Sequence, residues 1–138
     1  MANLPEIAVT DSHALIWWIT DQRRLLGRRA AAFFDRVDAG GAVVCIPTVV
    51  LVELDEAIQS GDVTLAEPFP GFIERLQLTP SRYQVVPLTA PIVVRAHALF
   101  AVPERGDRLI AATAAELEYP LITRDPLIVR AIAGEHLW

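Results

Sequence analysis

Short apolar runs alternate with longer amphipathic stretches along the chain. Continuous apolar runs bounded by turn residues are typical of strands that are buried on both faces of a sheet. Stretches in which apolar residues recur every three or four positions are typical of helices. The strands predicted in this way span 7–10, 42–46, 83–88 and 120–123, with a last edge strand at 135–138.

Helices are predicted between these strands, and several of their ends carry the usual signals. Gly40 and Gly41 end one helix, and Pro47 suits the first turn of the next. The predicted helices span 13–19, 28–37, 47–59, 69–78, 90–100, 107–118 and 126–132, with a loop at 102–106. Because strands and helices alternate, the sequence predicts an α/β fold: a three-layer α/β/α sandwich with a mainly parallel central sheet, in a single domain of residues 1–138.

Composition and charge exclude some functional classes. The formal net charge of −5 argues against a simple basic nucleic-acid binder. The sequence contains no lysine. A receiver-type signalling domain needs a lysine beside its phospho-acceptor aspartate, so that class is nearly excluded. The hydrophobic content of 53% fits either a large apolar interface or a well-filled core.

The predicted compartment is the cytoplasm. The one cysteine, Cys45, lies in an apolar run and is expected to be buried, which suits a reducing environment. The N-terminal residues do not have the pattern of a signal peptide, and apolar runs stay shorter than the ~20 residues that a membrane helix needs.

Acidic residues stand at or near the carboxyl ends of the predicted strands. Asp11 follows the first strand and Asp125 the fourth, while Asp107 opens an Ala-rich helix and Glu53 lies about two turns into another. Sites in open α/β sheets form beyond these strand ends, so the four carboxylates could converge there. Their mutual repulsion would be relieved by a hard divalent cation, for which Mg²⁺ or Mn²⁺ fits an all-oxygen ligand set.

Such a site suits phosphodiester hydrolysis. A bound cation can orient and activate a water and neutralise charge on the scissile phosphate, with no protein nucleophile. Each acid also has a structural interpretation. Asp11, Asp107 and Asp125 can each stabilise a helix N-terminus by about 0.5–2 kcal/mol. Glu53 lies among apolar residues, where burial without a partner is costly, whereas Asp55 and Glu56 are predicted to form the solvated face of the same helix.

The sequences around these acids resemble one known family. The stretches are Val9-Thr10-Asp11-Ser12-His13, Pro47-Thr48-Val49-Val50-Leu51-Val52-Glu53, Asp107-Arg108-Leu109-Ile110-Ala111-Ala112-Thr113 and Leu121-Ile122-Thr123-Arg124-Asp125. Together, and over Val9–Trp138, they resemble the PIN-domain ribonucleases, in particular the VapC-type toxins of bacterial toxin–antitoxin pairs. The resemblance implies a PIN-like fold and a Mg²⁺-dependent or Mn²⁺-dependent endoribonuclease that cleaves tRNA, rRNA or mRNA. It also implies a homodimer that a small VapB-like antitoxin inhibits, in a heterotetramer or a larger assembly.

The resemblance also assigns roles to individual residues. Asp11, Glu53, Asp107 and Asp125 match the family's metal-site acids. Ser12 stands where the family often has Thr, and Thr123 matches the Thr before the last acid, so both hydroxyls are expected to support the site. Many toxins of this group have an Asp three residues before the helix-opening Asp. Glu104 takes that place here, and its participation is left open.

Other residues near the acids have two interpretations each. Arg105, Arg108 and Arg124 are predicted RNA contacts, with ordinary solvated charge as the alternative. His13 is interpreted as packing beside Trp17, with substrate contact as the alternative. Trp17 and Trp18 are assigned to the core or a dimer interface, with base stacking as the alternative.

The alternative function is a catalytically silent PIN-like module that binds RNA or acts as a scaffold. Such domains typically lose one or more of the acids, and all four are present here.

Overall fold

A five-stranded parallel sheet forms the centre of the molecule in the computed structural model, which describes residues 3–138. The strands are β1 (Ile7–Thr10), β2 (Val43–Pro47), β3 (Tyr83–Val86), β4 (Leu121–Ile122) and β5 (His136–Leu137). The helices are α1 (Ser12–Ile19), α2 (Arg28–Asp38), α3 (Thr48–Gln59), α4 (Phe69–Gln77), α5 (Ala90–His97), α6 (Arg105–Leu117) and α7 (Pro126–Ala131), with a 3₁₀ turn at Arg23–Leu25.

The strand order is β3-β2-β1-β4-β5, and each neighbouring pair is parallel. The chain therefore moves outward from β1 to β3 and then returns to the other side of β1 with β4. At this reversal Val9 lies opposite Leu121 and Thr10 opposite Ile122. Ligands of open α/β sheets bind at such a reversal, beyond the carboxyl ends of the strands.

The same reversal produces the three layers. Connections between parallel strands are right-handed, so the helices of the outward half and those of the returning half cover opposite faces of the sheet. This arrangement confirms the predicted α/β/α sandwich with a parallel centre. It also places the starts of α1 and α7 side by side, because each follows one of the two adjacent central strands.

The core lies between the sheet and the helices on each face. Its largest fully buried side chains include Phe33, Phe34, Ile46 and Leu54. Cys45 is 1% exposed, and burial raises the pKa of its thiol to about 11, as expected for a small buried hydrophobe rather than a reactive thiol. Across residues 3–138, no helix is long and apolar enough to cross a membrane.

Two predicted boundaries around the loop at 102–106 differ from the structure. Helix α5 ends at His97 rather than near Phe100, because Leu99 and Val102 enter turns closed by hydrogen bonds to Ala96 and Leu99. Helix α6 begins at Arg105 rather than at Asp107. Its first turn is fixed by the Arg108 N–H, which donates to the Glu104 carbonyl at 3.1 Å.

The third strand is shorter than predicted. It ends at Val86 rather than at Leu88, because Pro87 has no N–H to extend the ladder. The last strand is confirmed as an edge strand, paired only to β4 within the described part of the chain.

Candidate active site

Asp11 lies at the end of β1, where the strand meets α1. Its backbone N–H donates to the Ile122 carbonyl of β4 at 3.1 Å, which fixes it at the reversal in strand order. Its Oδ1 accepts a hydrogen bond from the Ala14 N–H at 2.9 Å, so Asp11 caps α1. The residue is 8% exposed. The structural interpretation is therefore correct for Asp11, and the cap leaves Oδ2 for other contacts.

Asp125 follows the neighbouring strand in the same way. Its N–H donates to the Thr123 hydroxyl at 3.2 Å, and its Oδ1 accepts from the Leu127 N–H at 2.9 Å. Asp125 therefore caps α7. Thr123 is fully buried, and burial raises the pKa of Asp11 while the nearby Thr123 hydroxyl offsets part of that rise, so Thr123 lies beside both aspartates. The supporting role of this hydroxyl stays a prediction.

Glu53 reaches the same region from α3. The Ser12 hydroxyl, at the start of α1, donates to Glu53 Oε1. The carboxylate lies directly over the backbone of Gly106 in the first turn of α6, where an added Cβ would come within 2.6 Å of Glu53 Oε2. The Ser12 hydroxyl thus holds the carboxylate, and the missing side chain of Gly106 leaves room for it. The hydroxyl at position 12 is placed to support Glu53.

Asp107 completes the group from α6. Burial is the largest cause that raises its pKa from 3.8 to about 6, and the charges of Asp125, Glu53, Asp11 and Glu104 raise it further, in that order. The pKa of Asp11 is also raised, first by burial and to a smaller extent by the charge of Asp125. The carboxylates are therefore close enough to repel one another, as the sequence predicted.

A cleft of about 460 Å³ collects these side chains. Its lining consists of Asp11, Ser12, His13, Ile16, Glu53, Glu56, Ala57, Ser60, Asp62, Asp107, Asp125 and Ile128. The four predicted acids therefore share one cavity although they come from four separate parts of the chain.

Several residues of this cleft are not among those predicted from the sequence. Glu56 is exposed, as predicted, but it also lines the cleft. It lies three positions after Glu53, and residues with that spacing share a helix face. Asp62 also lines the cleft and was not predicted there, and Gly106 was predicted only as part of the loop at 102–106. The role of Gly106 depends on the tertiary approach of α3, which no local pattern reveals.

Four other predicted residues lie outside the lining of the cleft. Glu104 is exposed at the start of α6 and acts on the site only through its charge beside Asp107. Arg105 is exposed next to it. Arg108 donates to the Val102 and Pro103 carbonyls, both at 2.8 Å, so its guanidinium holds the loop before α6. The Arg124 guanidinium lies over the ring of Trp17, with its Cζ 4.8 Å from the ring centroid.

The donor set suits a hard divalent cation, although its side chains are not gathered around one point. Among residues 3–138 no group of three acidic, histidine or cysteine side chains is close enough to hold an ion in this arrangement. Asp11, Asp125 and Glu53 each use one carboxylate oxygen in a hydrogen bond within the protein. Their free oxygens and Asp107 share one cleft and repel one another, and all of them are the oxygen ligands that Mg²⁺ and Mn²⁺ prefer.

Comparison with known proteins agrees with this architecture. The family model of the PIN domain matches residues 8–133. A structure of VapBC2 from Rickettsia felis bound to a promoter DNA fragment matches with a TM-score of 0.65 and 16% identity, over 96% of this chain and 99% of that chain. FitAcB from Neisseria gonorrhoeae matches with a TM-score of 0.62 and 18% identity, over 94% and 95%. DNA-bound VapBC from Salmonella typhimurium matches with a TM-score of 0.63 and 16% identity, over 96% of each chain.

These structural matches show the fold alone, because their sequence identities are low. A search of curated proteins finds no match. The family model covers most of the sequence and includes all four acids of the cleft. The chain therefore belongs to the PIN-domain family.

Proposed function

We propose that this protein is a Mg²⁺-dependent or Mn²⁺-dependent endoribonuclease that acts as the VapC-type toxin of a toxin–antitoxin pair. PIN domains are generally nucleases, which provides the broad class of activity. The observation that carries the proposal is the shared cleft. Acids from β1, α3, α6 and the segment after β4 line one cavity at the reversal in strand order, and they raise the pKa of Asp107.

Each residue of the cleft has a separate task in this proposal. Asp11, Glu53, Asp107 and Asp125 would hold the cation, which on binding supplies a Lewis acid for water and phosphate. Ser12 keeps Glu53 aimed into the cleft. Thr123 accepts a hydrogen bond from the Asp125 N–H and lies beside Asp11, so it helps to position both carboxylates. Glu104 contributes charge beside Asp107 and is proposed as a further ligand.

The toxin role and the partners are proposed from the resemblance and the structural neighbours. The neighbours described above are VapBC and FitAcB assemblies, which supports a VapB-like antitoxin as a partner. An antitoxin that covers the cleft would block access to the acids. We propose a homodimer, in a heterotetramer or a larger assembly with the antitoxin. The substrate is RNA, in the form of tRNA, rRNA or mRNA, and Arg105 is proposed as one contact to it.

A cleavage assay with matched variants tests this proposal. The purified chain, freed of any partner, is incubated with tRNA and ribosomal RNA in Mg²⁺ and in Mn²⁺. We expect cleavage that EDTA abolishes and that Asp11→Asn abolishes, because Asn retains the helix cap but loses the charge. Asp55→Asn is the control, since it removes the same charge from a residue outside the cleft lining. Intact RNA in both metals would refute the proposal.

The alternative is a silent PIN-like module that binds RNA or acts as a scaffold. One observation favours it: among residues 3–138, no three acidic, histidine or cysteine side chains are close enough together to hold an ion. Calorimetric titration with Mn²⁺ separates the two functions. A nuclease should bind the ion in a way that Asp107→Asn abolishes, whereas a silent module should show no binding that depends on the acids.

A further inference from the structure

Three flat side chains lie in a row at the edge of the cleft, and the proposed cleavage chemistry does not use them. The His13 ring centroid lies 5.4 Å from that of Trp17, at an interplanar angle of 41°. The Arg124 guanidinium also lies over the Trp17 ring, with its Cζ 4.8 Å from the ring centroid. We call His13, Trp17 and Arg124 the aromatic row.

The aromatic row adjoins the cleft through His13, whereas Arg124 lies outside the cleft lining. His13 lines the cleft and follows Ser12 on α1, two residues after Asp11. Arg124 immediately precedes Asp125. His13 and Trp17 are four residues apart on one helix, so they share a face. A group bound at the row would therefore lie next to the cleft in which the acids would hold the cation.

Trp17 gives the row a fixed backing. It is half-buried, and it meets the ring of Trp138 edge-on at a centroid distance of 6.0 Å. Trp138 also lies near Arg124, whose Cζ is 5.8 Å from its ring centroid. The guanidinium thus lies over both indole rings, and cation–π contacts of this kind stabilise its position.

Two residues of the aromatic row are open to solvent. His13 and Arg124 are both exposed. Within residues 3–138, the side chains of His13 and Arg124 form no hydrogen bond or ion pair with another protein group. The ion pairs of this part of the chain involve four other arginines, Arg23, Arg29, Arg75 and Arg95. The row therefore presents a free imidazole face and free guanidinium donors beside the cleft.

The aromatic row offers contacts to RNA that the negative charge of the cleft does not weaken. RNA is polyanionic, and the protein carries a net charge of −5. Affinity at the cleft has to come from contacts that the acids do not oppose. Stacking of a nucleobase on a flat side chain is such a contact, and it tolerates any base because every base has a π-face. A guanidinium supplies a phosphate contact at the same place.

We propose that the aromatic row is a binding subsite for one unpaired nucleotide of the RNA, adjacent to the cleaved phosphate. The base stacks on His13, and Arg124 donates to a backbone phosphate. The inference rests on the proposed ribonuclease function and assigns His13 and Arg124 to substrate contact. RNA is preferred where its bases are unstacked, in single-stranded segments and loops, over continuous duplex.

The test compares His13→Ala with His13→Phe. Both variants lose the imidazole nitrogens and any charge, and only Phe keeps a flat ring. Each is made with Asp107→Asn so that RNA stays intact, and each is titrated against a short single-stranded RNA that carries 2-aminopurine. We expect quenching of the 2-aminopurine emission when the parent binds. We also expect Kd to rise about 5- to 100-fold for His13→Ala and to remain within about 3-fold for His13→Phe.

The matched control is His97→Ala, an exposed histidine on α5 outside the cleft lining. It should bind like the parent. Equal Kd values for His13→Ala and the parent would overturn the subsite, as would equally weak binding by His13→Phe and His13→Ala. The same RNA annealed into a duplex should bind more weakly and show no quenching, and equal binding of duplex would also overturn it.

Cleavage kinetics separate a failure of the subsite from a failure of the proposed function. With Asp107 intact, His13→Ala should raise KM for single-stranded RNA more than His13→Phe does. If the wild-type chain cleaves RNA and His13→Ala has an unchanged KM, the subsite is wrong and the ribonuclease function stands. If the wild-type chain cleaves no RNA, the function and the subsite both fall.

Discussion

The carboxylate of Glu53 occupies the space that any side chain at position 106 would need. A Cβ built on Gly106 would lie 2.6 Å from Glu53 Oε2 and 3.0 Å from its Cδ. Glu53 belongs to α3 and Gly106 to α6. The close approach of these two helices therefore sets how the Glu53 carboxylate enters the cleft. The glycine is required by the neighbouring carboxylate rather than by its own backbone conformation.

Gly106→Ala is expected to impair the site while leaving the fold intact. The atoms in conflict are the far end of a flexible side chain, so Glu53 can swing away with little cost in stability. Displacement of a ligand by about 1 Å can lower activity on the order of 100-fold. We expect Mn²⁺ affinity and RNA cleavage to fall while the thermal midpoint stays near that of the wild type.

Gly71→Ala is the matched control for this substitution. Gly71 lies in the first turn of α4, and a Cβ there meets nothing within 4 Å. It should leave both metal binding and stability unchanged. Wild-type Mn²⁺ affinity in Gly106→Ala would show that Glu53 does not depend on the glycine.

Asp107→Asn is expected to stabilise the metal-free protein at neutral pH. The pKa of Asp107 is raised from 3.8 to about 6, first by burial and then by neighbouring acids. A group with a raised pKa adds stability below its unfolded pKa, and that stability is lost as the pH rises through the folded pKa. The free energy of unfolding in EDTA should therefore decrease as the pH rises from 3.8 to about 6, in part because Asp107 loses its proton in this window.

Urea unfolding of wild type and Asp107→Asn, above and below this window, measures the effect. After allowance for the partial exposure of Asp107, the variant should gain about 1–2 kcal/mol above the window and nothing below it. Asp55→Asn, which removes a charge outside the cleft lining, should show no such dependence. Equal stability of wild type and Asp107→Asn above the window would contradict the explanation by burial and repulsion.

The two functions of Asp125 can be separated by substitution. Its carboxylate caps α7 through the Leu127 N–H and also lines the cleft. Asparagine caps a helix about as well as aspartate, whereas alanine does not, at a cost of about 0.5–2 kcal/mol. Asp125→Asn should therefore keep the thermal midpoint and lose Mn²⁺ affinity, while Asp125→Ala should lose both. Unchanged metal binding in Asp125→Asn would restrict this residue to its structural role.

Gly27→Ala is expected to destabilise the packing behind Arg124. A Cβ on Gly27 would lie 2.4 Å from the backbone carbonyl carbon of Trp138 and 2.4 Å from its Cδ1. Backbone cannot move aside as easily as a flexible side chain, so we expect a loss of about 1–3 kcal/mol, measured by thermal unfolding. Gly134→Ala, whose Cβ would meet nothing within 4 Å, is the control. If the two variants unfold at the same temperature, Trp138 is not fixed against Gly27.

The sequence predicted the sheet and the four acids because both depend on local signals. Buried strands are continuous apolar runs, and Asp11 and Asp125 directly follow two of them. The contributions of Gly106 and Glu56 could not be predicted with the same certainty. Both depend on how α3 lies against α6 and the sheet, which is a tertiary relationship between residues far apart in the chain.

The aromatic row illustrates the same limit. His13 and Trp17 share a face of α1 by their spacing, and the sequence analysis interpreted His13 as packing beside Trp17. The position of Arg124 over the Trp17 ring depends on the pairing of β1 with β4. Among the arginines, Arg108 looked equivalent to Arg124 in sequence, yet it is bound to loop carbonyls.

The central claim is that the four carboxylates form one metal-dependent site that cuts RNA. Sequencing of RNA 5′ ends after induction of the chain without its partner tests it most directly, with wild type, Asp107→Asn and Asp55→Asn compared. The account predicts a discrete set of new ends in wild type and in Asp55→Asn, and none in Asp107→Asn. The same ends in Asp107→Asn, or no new ends in any of the three, would contradict it.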